Sequence, residues 1–128
     1  MRFDQYVGEP YTPRGCWELL RRVYAEQLGI VLPTYDAELP PRAERPEFAR
    51  LILAESVAWQ TVEPGAERVG DGVLFEICGQ PSHVGIVTTP KRGRFLHAAP
   101  GSQSCIECYR SPKWARRLVG FYRHAAAP

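Results

Sequence analysis

Among the four cysteines and three histidines of this sequence, Cys16, His83 and His97 have the setting that thiol chemistry requires. A thiol attacks only as its thiolate. A cysteine at a helix N-terminus is helped toward that state by unpaired backbone N–H groups and the helix dipole. Pro13 and Gly15 disfavour helix before Cys16, and a helical apolar pattern begins at it, so a helix is predicted to begin at or next to Cys16. The same position suits a core cysteine on an apolar face, so a base must be found elsewhere in the chain. His83 opens a predicted strand after the turn Gly79-Gln80-Pro81-Ser82, and His97 lies at the end of the next strand, beyond the turn Pro90-Lys91-Arg92-Gly93. Neighbouring antiparallel strands put both rings at one end of a sheet, within hydrogen-bond reach if the register allows. An imidazole base held through its second nitrogen has its tautomer fixed. His124, in the Ala-rich tail, is expected to be exposed and idle.

The remaining cysteines carry less. Cys105 and Cys108 form a lone C-x-x-C in a segment that reads as strand, Ser104-Cys105-Ile106-Glu107-Cys108-Tyr109. A zinc site would need two further ligands, and a thioredoxin-like pair should open a helix. Both are therefore expected to be ordinary small side chains, and no metal or cofactor is expected.

The elements that must position these groups follow from periodicity. Cys16, Leu19, Leu20, Val23 and Tyr24 recur at helical spacing on one face, with Glu18, Arg21, Arg22 and Glu26 opposite and Glu18 at pairing distance from Arg22. Gly29 and Pro33 mark the stop. Residues 35–45 read as a Pro-rich loop, 46–59 as a second helix and 61–70 as a connector. Five short strands are predicted over 72–77, 83–88, 94–98, 104–109 and 118–123, with a helical turn within 111–117. Helices first and then strands at hairpin spacing indicate an α+β fold with an antiparallel sheet.

A chain of 128 residues is one domain's worth and can bury a core without a disulfide or metal staple. The net charge of +2 gives no reason to expect nucleic acid, and the scattered arginines read as solvated faces. No apolar run approaches the roughly 18 residues that span a bilayer, so no membrane partner is expected. Residues 1–10 lack the apolar stretch of a signal peptide, so synthesis in a cytoplasm without conventional export is expected.

The sequence also resembles a known family. Gly15-Cys16-Trp17-Glu18-Leu19-Leu20, with Leu28-Gly29-Ile30-Val31-Leu32-Pro33, resembles the nucleophile helix of NlpC/P60 peptidases, most nearly the phage tail-assembly branch with its Asp-Cys-Trp-Gly-Leu-Val and Leu-Pro exit. Gly70-Asp71-Gly72-Val73, His83-Val84-Gly85-Ile86, Phe95-Leu96-His97-Ala98 and Gly120-Phe121-Tyr122-Arg123 are similar to later blocks of the family, in family order from about Tyr6 to Arg123. Gly15 and Glu18 stand where the family commonly has Asp and Gly.

The resemblance implies a papain-like α+β fold, with N-terminal helices packed on an antiparallel sheet, in a single domain over 1–128. It implies Cys16 as nucleophile, His83 as base and His97 as the group that orients His83. Tyr11, with Tyr6 as runner-up, would support the oxyanion beside the Cys16 N–H. It implies a peptidoglycan stem peptide as substrate. For the phage branch it implies tail-hub or tail-tip partners and a place in the virion. The alternative is a structural tail-tip subunit of the same fold with little or no peptidase activity.

Overall fold

The computed structural model describes residues 1–10, 15–33, 58–77, 79–98 and 102–128. Helix α1 (Gly15–Val23) runs into a π-helical turn (Tyr24–Leu28) that Gly29 ends in the left-handed region at φ 67°. A glycine there carries no Cβ to clash, which is why the predicted stop holds. The strands are β1 (Trp59–Val62), β2 (Gly72–Ile77), β3 (Gln80–Thr89), β4 (Arg94–Ala98), β5 (Ser104–Cys108) and β6 (Leu118–His124), with a short helix α2 (Pro112–Ala115) before the last. They form one sheet in the order β1-β6-β2-β3-β4-β5, and every pair is antiparallel. The expected α+β architecture with an antiparallel sheet is therefore the one observed. No helix among the described residues is long and apolar enough to cross a membrane.

The pleat sorts the sheet into two apolar faces. On one, Leu74, Val84, Ile86, Leu96 and Tyr122 meet Trp17, Leu20, Val23 and Tyr24 of the helical segment. Leu20, Val23 and Ile86 are wholly buried, and each such side chain contributes about 1.5–3 kcal/mol relative to exposure. On the other, Val73, Phe75, Val87, Phe95, Tyr109 and Phe121 pack around Trp114 of α2. The exit from the π-helical turn is drawn back onto α1: the Trp17 indole N–H donates to the Pro33 carbonyl at 3.0 Å and the Arg21 Nε–H to the Leu32 carbonyl at 3.0 Å.

Three expectations change. The predicted second helix lies largely outside the described residues, but its last residue, Trp59, opens β1 instead, and Thr61 and Val62 continue that strand. Pairing of Gln60 and Thr61 with Arg123 and Tyr122 supplies the backbone partners that local sequence did not reveal. Glu18 pairs with Arg21 at 3.0 Å, not with Arg22, whose guanidinium is drawn to Glu9 and, at 3.5 Å, to Glu26. His124 is half-buried, its ring edge-on to Trp59 at 5.0 Å, because β6 runs one residue further than predicted and places it opposite Trp59.

Candidate active site

Cys16 is the second residue of α1, half-buried against the apolar cluster beneath that helix. Its sequence-predicted place at a helix N-terminus is the one found. Before α1 the chain is tied to the start of β5. The Gly8 N–H donates to the Ser104 carbonyl, the Ser104 N–H to the Glu9 carbonyl, and the Glu9 N–H to the Ser104 hydroxyl, each at 2.8 Å. This strap delivers the chain to α1 at the end of the sheet where β4 finishes. A cleft of about 290 Å³ there is lined by Gly15, the residue before Cys16, and by Ala98, the residue after His97, with Glu9, Arg22 and Ser104 at its walls. Helix α1 packs on β3 and β4, the two strands that carry the histidines.

The two histidines meet. His83 Nε2 lies 2.7 Å from His97 Nδ1, with the rings edge-on at 81°. Both are nearly inaccessible, at 3% and 1% exposure. The register explains the meeting. His83 sits opposite Phe75, immediately beside a register shift between Phe75 and Glu76; such bulges re-aim side chains. Two residues on, Gly85 has only hydrogen where a Cβ would lie 3.3 Å from His97 Cβ and 2.9 Å from the Leu96 carbonyl oxygen. That missing side chain lets β4 bring His97 close to β3. Phe75, Phe95 and Trp114 wall the rings, and Trp114 stacks on His83 at 5.6 Å and 20°.

A third group extends the pair. His97 Nε2 lies 2.6 Å from Glu107 Oε2. Glu107 on β5 was not singled out by the sequence. Its signal was present only in combination: Cys105 pairs across from His97, and Glu107 two residues on shares that face. Burial lowers the pKa of His97, with Lys113 acting the same way, and together they outweigh the upward pull of Glu107. Burial disfavours the Glu107 carboxylate, but the Trp114 indole dipole and His97 more than offset this, so its pKa lies below the ordinary value. The network therefore assigns a neutral His97 with its proton on Nε2, facing an ionised Glu107. His97 Nδ1 then accepts from the His83 Nε2–H, which leaves the lone pair of His83 on Nδ1. A base with its lone pair on a defined nitrogen is what thiol activation demands.

Cys105, expected as an ordinary small side chain, lies beside the His97–Glu107 contact. Its Sγ lies 3.7 Å from both His97 Nε2 and Glu107 Oε2. Burial and the Glu107 carboxylate push its thiol pKa up. Cys108 faces elsewhere, its thiol 3.7 Å from the Arg92 carbonyl. Cys105 and Cys108 are free thiols. Tyr11 lies outside the described residues. Tyr6, the runner-up for the oxyanion role, is wholly buried, and its hydroxyl donates to Glu26 at 2.7 Å and accepts from Gln27 at 3.2 Å, committed to the far end of the helical segment.

The chain belongs to the NlpC/P60 family, whose pattern it matches over residues 5–123. This family consists generally of peptidoglycan-hydrolysing cysteine peptidases. Among solved structures, it is similar to a lipoprotein-like NLP/P60 family protein of Staphylococcus aureus, with 24% identity and a TM-score of 0.62 over 94% of this chain and 38% of that one. It is also similar to an NlpC/P60 family protein of Bacillus cereus, with 18% identity and a TM-score of 0.64 over 94% of this chain and 37% of that one. The chain thus spans under two-fifths of the length of these neighbours, and the likeness is one of fold. No curated protein matches the sequence.

Proposed function

We propose that this chain is a cysteine endopeptidase acting on peptidoglycan stem peptides. The observation that carries the reading is the 2.7 Å contact between His83 Nε2 and His97 Nδ1, in a chain of this family whose candidate nucleophile is the second residue of α1, a helix that packs on β3 and β4. Cys16 gives its proton to His83 Nδ1, and the thiolate attacks the peptide carbonyl. The oxyanion is held by the Cys16 backbone N–H and by Tyr11. His83 passes the proton to the leaving amine as the C–N bond breaks, leaving a thioester on Cys16. Water, deprotonated by His83, then releases the acid product and restores the thiol. His97 is a positioning residue: it keeps the His83 lone pair on Nδ1 and stabilises the imidazolium.

Incubation with muropeptides tests this directly. Cleaved stem peptide should be seen by mass spectrometry, and it should disappear in Cys16→Ala and His83→Ala. Absence of cleavage together with failure of Cys16 to react with a thiol probe at neutral pH overturns the peptidase reading.

The finer part of the proposal places the enzyme at the tip of a phage tail, in the virion, where it assists wall penetration. It is supported by the sequence likeness of the Cys16 helix and the Gly120–Arg123 block to the phage tail-assembly branch. Stable co-purification with a tail-hub protein is the expected result. Co-purification without cleavage favours the structural subunit, for which the departures at Gly15 and Glu18 speak.

A further inference from the structure

We propose that His97, Cys105 and Glu107 form a binding site for a transition-metal dication of the zinc class, and that filling it reverses the imidazole chain serving Cys16. The three donors come from two paired strands. His97 on β4 lies directly across from Cys105 on β5, and Glu107 follows two residues later on the same face. Their ligand atoms all lie within 4.8 Å of one another. The sulfur stands 3.7 Å from both the His97 nitrogen and the Glu107 oxygen, and those two are 2.6 Å apart.

Tetrahedral zinc, with ligands at about 2.0–2.3 Å, holds its donors roughly 3.3–3.6 Å from one another. Both distances to sulfur, at 3.7 Å, lie just beyond that range. The sulfur need close only slightly, and the nitrogen–oxygen pair must open as the ion takes the place of the proton between them. One thiolate, one imidazole and one carboxylate select zinc or cobalt over calcium or magnesium, which favour oxygen. The His97 side chain is fully buried while that of Glu107 is 32% exposed, so the ion has access from the solvent-facing Glu107 side. This donor set crosses the C-x-x-C rather than using it: Glu107 takes part and Cys108 does not.

Metal binding moves protons along the chain. The ion displaces the Nε2 proton of His97 and the thiol proton of Cys105. His97, now bonded to metal through Nε2, takes on Nδ1 the proton that His83 held on Nε2, across their 2.7 Å bond. His83 gains a proton on Nδ1 from solvent. One proton is released overall, and His83 no longer has a lone pair on Nδ1. The loss of catalysis that follows rests on the peptidase reading; the binding does not.

The test uses Co²⁺ and Zn²⁺ on the full chain carrying Cys16→Ala, which removes the candidate nucleophile and with it cleavage. Cobalt should give a thiolate charge-transfer band with one ion per chain. The band should persist in Cys108→Ser, vanish in Cys105→Ser, and need about tenfold or more metal in Glu107→Gln. A band that survives Cys105→Ser, or an affinity indifferent to Glu107→Gln, overturns the site. Should Cys105→Ser not fold, alkylation replaces it: Zn²⁺ should slow labelling of Cys105 about tenfold relative to Cys108, and equal slowing counts against the site. The reversal is read by nitrogen NMR, where Zn²⁺ should move the His83 proton from Nε2 to Nδ1. Bound zinc with an unchanged His83 tautomer overturns that part. Because every readout is made on a chain that cannot cut, a failed muropeptide assay leaves these results standing.

Discussion

His83 Nε2 and His97 Nδ1 are 2.7 Å apart, and the second nitrogen of His97 is in turn 2.6 Å from Glu107. Direction is the consequence. A neutral imidazole has one donor and one acceptor, so an ionised carboxylate at one end dictates where every proton in the row must sit. Glu107 therefore fixes the proton position on His83 through the His97 ring.

Glu107→Gln should lower kcat/KM for muropeptide cleavage with KM little changed. A hydrogen bond to a charged partner contributes about 1.5–3 kcal/mol, and Glu107 is partly solvated, so a fall of about tenfold, 1.4 kcal/mol, is expected. Gln keeps an oxygen that can accept from His97 but lacks the charge, so Glu107→Asp should recover less than Gln if reach matters more than charge, and more if charge matters more. Nitrogen NMR of His97 supplies the readout a merely structural role would not move: the Nε2-protonated form should lose population in Glu107→Gln. A variant with native activity and native tautomer would remove Glu107 from the site.

Gly85→Ala should both destabilise the fold and loosen the histidine pair. The new methyl would stand 2.9 Å from the Leu96 carbonyl oxygen and 2.8 Å from the Phe95 ring. The oxygen belongs to a paired strand and cannot swing aside, so β4 must shift. Overpacking of this kind costs about 1–3 kcal/mol. The melting temperature should fall, and cleavage should fall further than the population of folded protein accounts for. Equal losses would mean that Gly85 serves packing alone.

Much of this site was legible in the sequence, and the reason is local. Cys16 declared itself through Pro13 and Gly15, which disfavour helix, and α1 as described begins at Gly15, one residue before it; Gly72–Ile77 and Arg94–Ala98 have the bounds that alternation and turn residues predicted. What escaped depended on register. Glu107 reads as a solvent-facing strand residue until Cys105 is known to lie opposite His97. Trp59 reads as the end of a helix until β6 is known to run beside it. Strand pairings between distant segments leave almost no trace in either segment alone.

The sequence blocks at Asp71 and Arg123, fifty-two residues apart, prove to be one device. Arg123 Nε donates to Asp71 Oδ1 at 2.9 Å and its Nη2 to Oδ2 at 2.8 Å, while the Arg68 N–H also reaches Oδ2 at 2.8 Å. The Asp71 side chain is 4% exposed and that of Arg123 24%. Removing one partner of a buried pair strands the other, which costs about 3 kcal/mol. Arg123→Met should therefore destabilise strongly in denaturant titration, and Asp71→Asn in the Arg123→Met background should return part of the loss. Strictly additive losses would show that the two residues act independently.

Acid should weaken the fold through Glu67. Its carboxylate accepts the Tyr109 hydroxyl at 2.6 Å and the Gly65 N–H at 2.6 Å. Burial opposes the charge, but the Tyr109 bond, together with backbone N–H groups of Glu67 and Gly65 and the nearby Arg110, overcomes it, so the folded pKa lies below the ordinary carboxylate value. A carboxyl with a depressed folded pKa binds protons more readily when unfolded. Its stabilisation is thus complete above the unfolded pKa, about 4.3, and disappears as pH falls through the lower folded value. The melting temperature of the native chain should drop between about pH 5 and pH 3, and Glu67→Gln, which keeps an acceptor for Tyr109 but cannot titrate, should start lower and fall less steeply across that interval. Parallel curves for the two chains would place the acid sensitivity in other carboxylates.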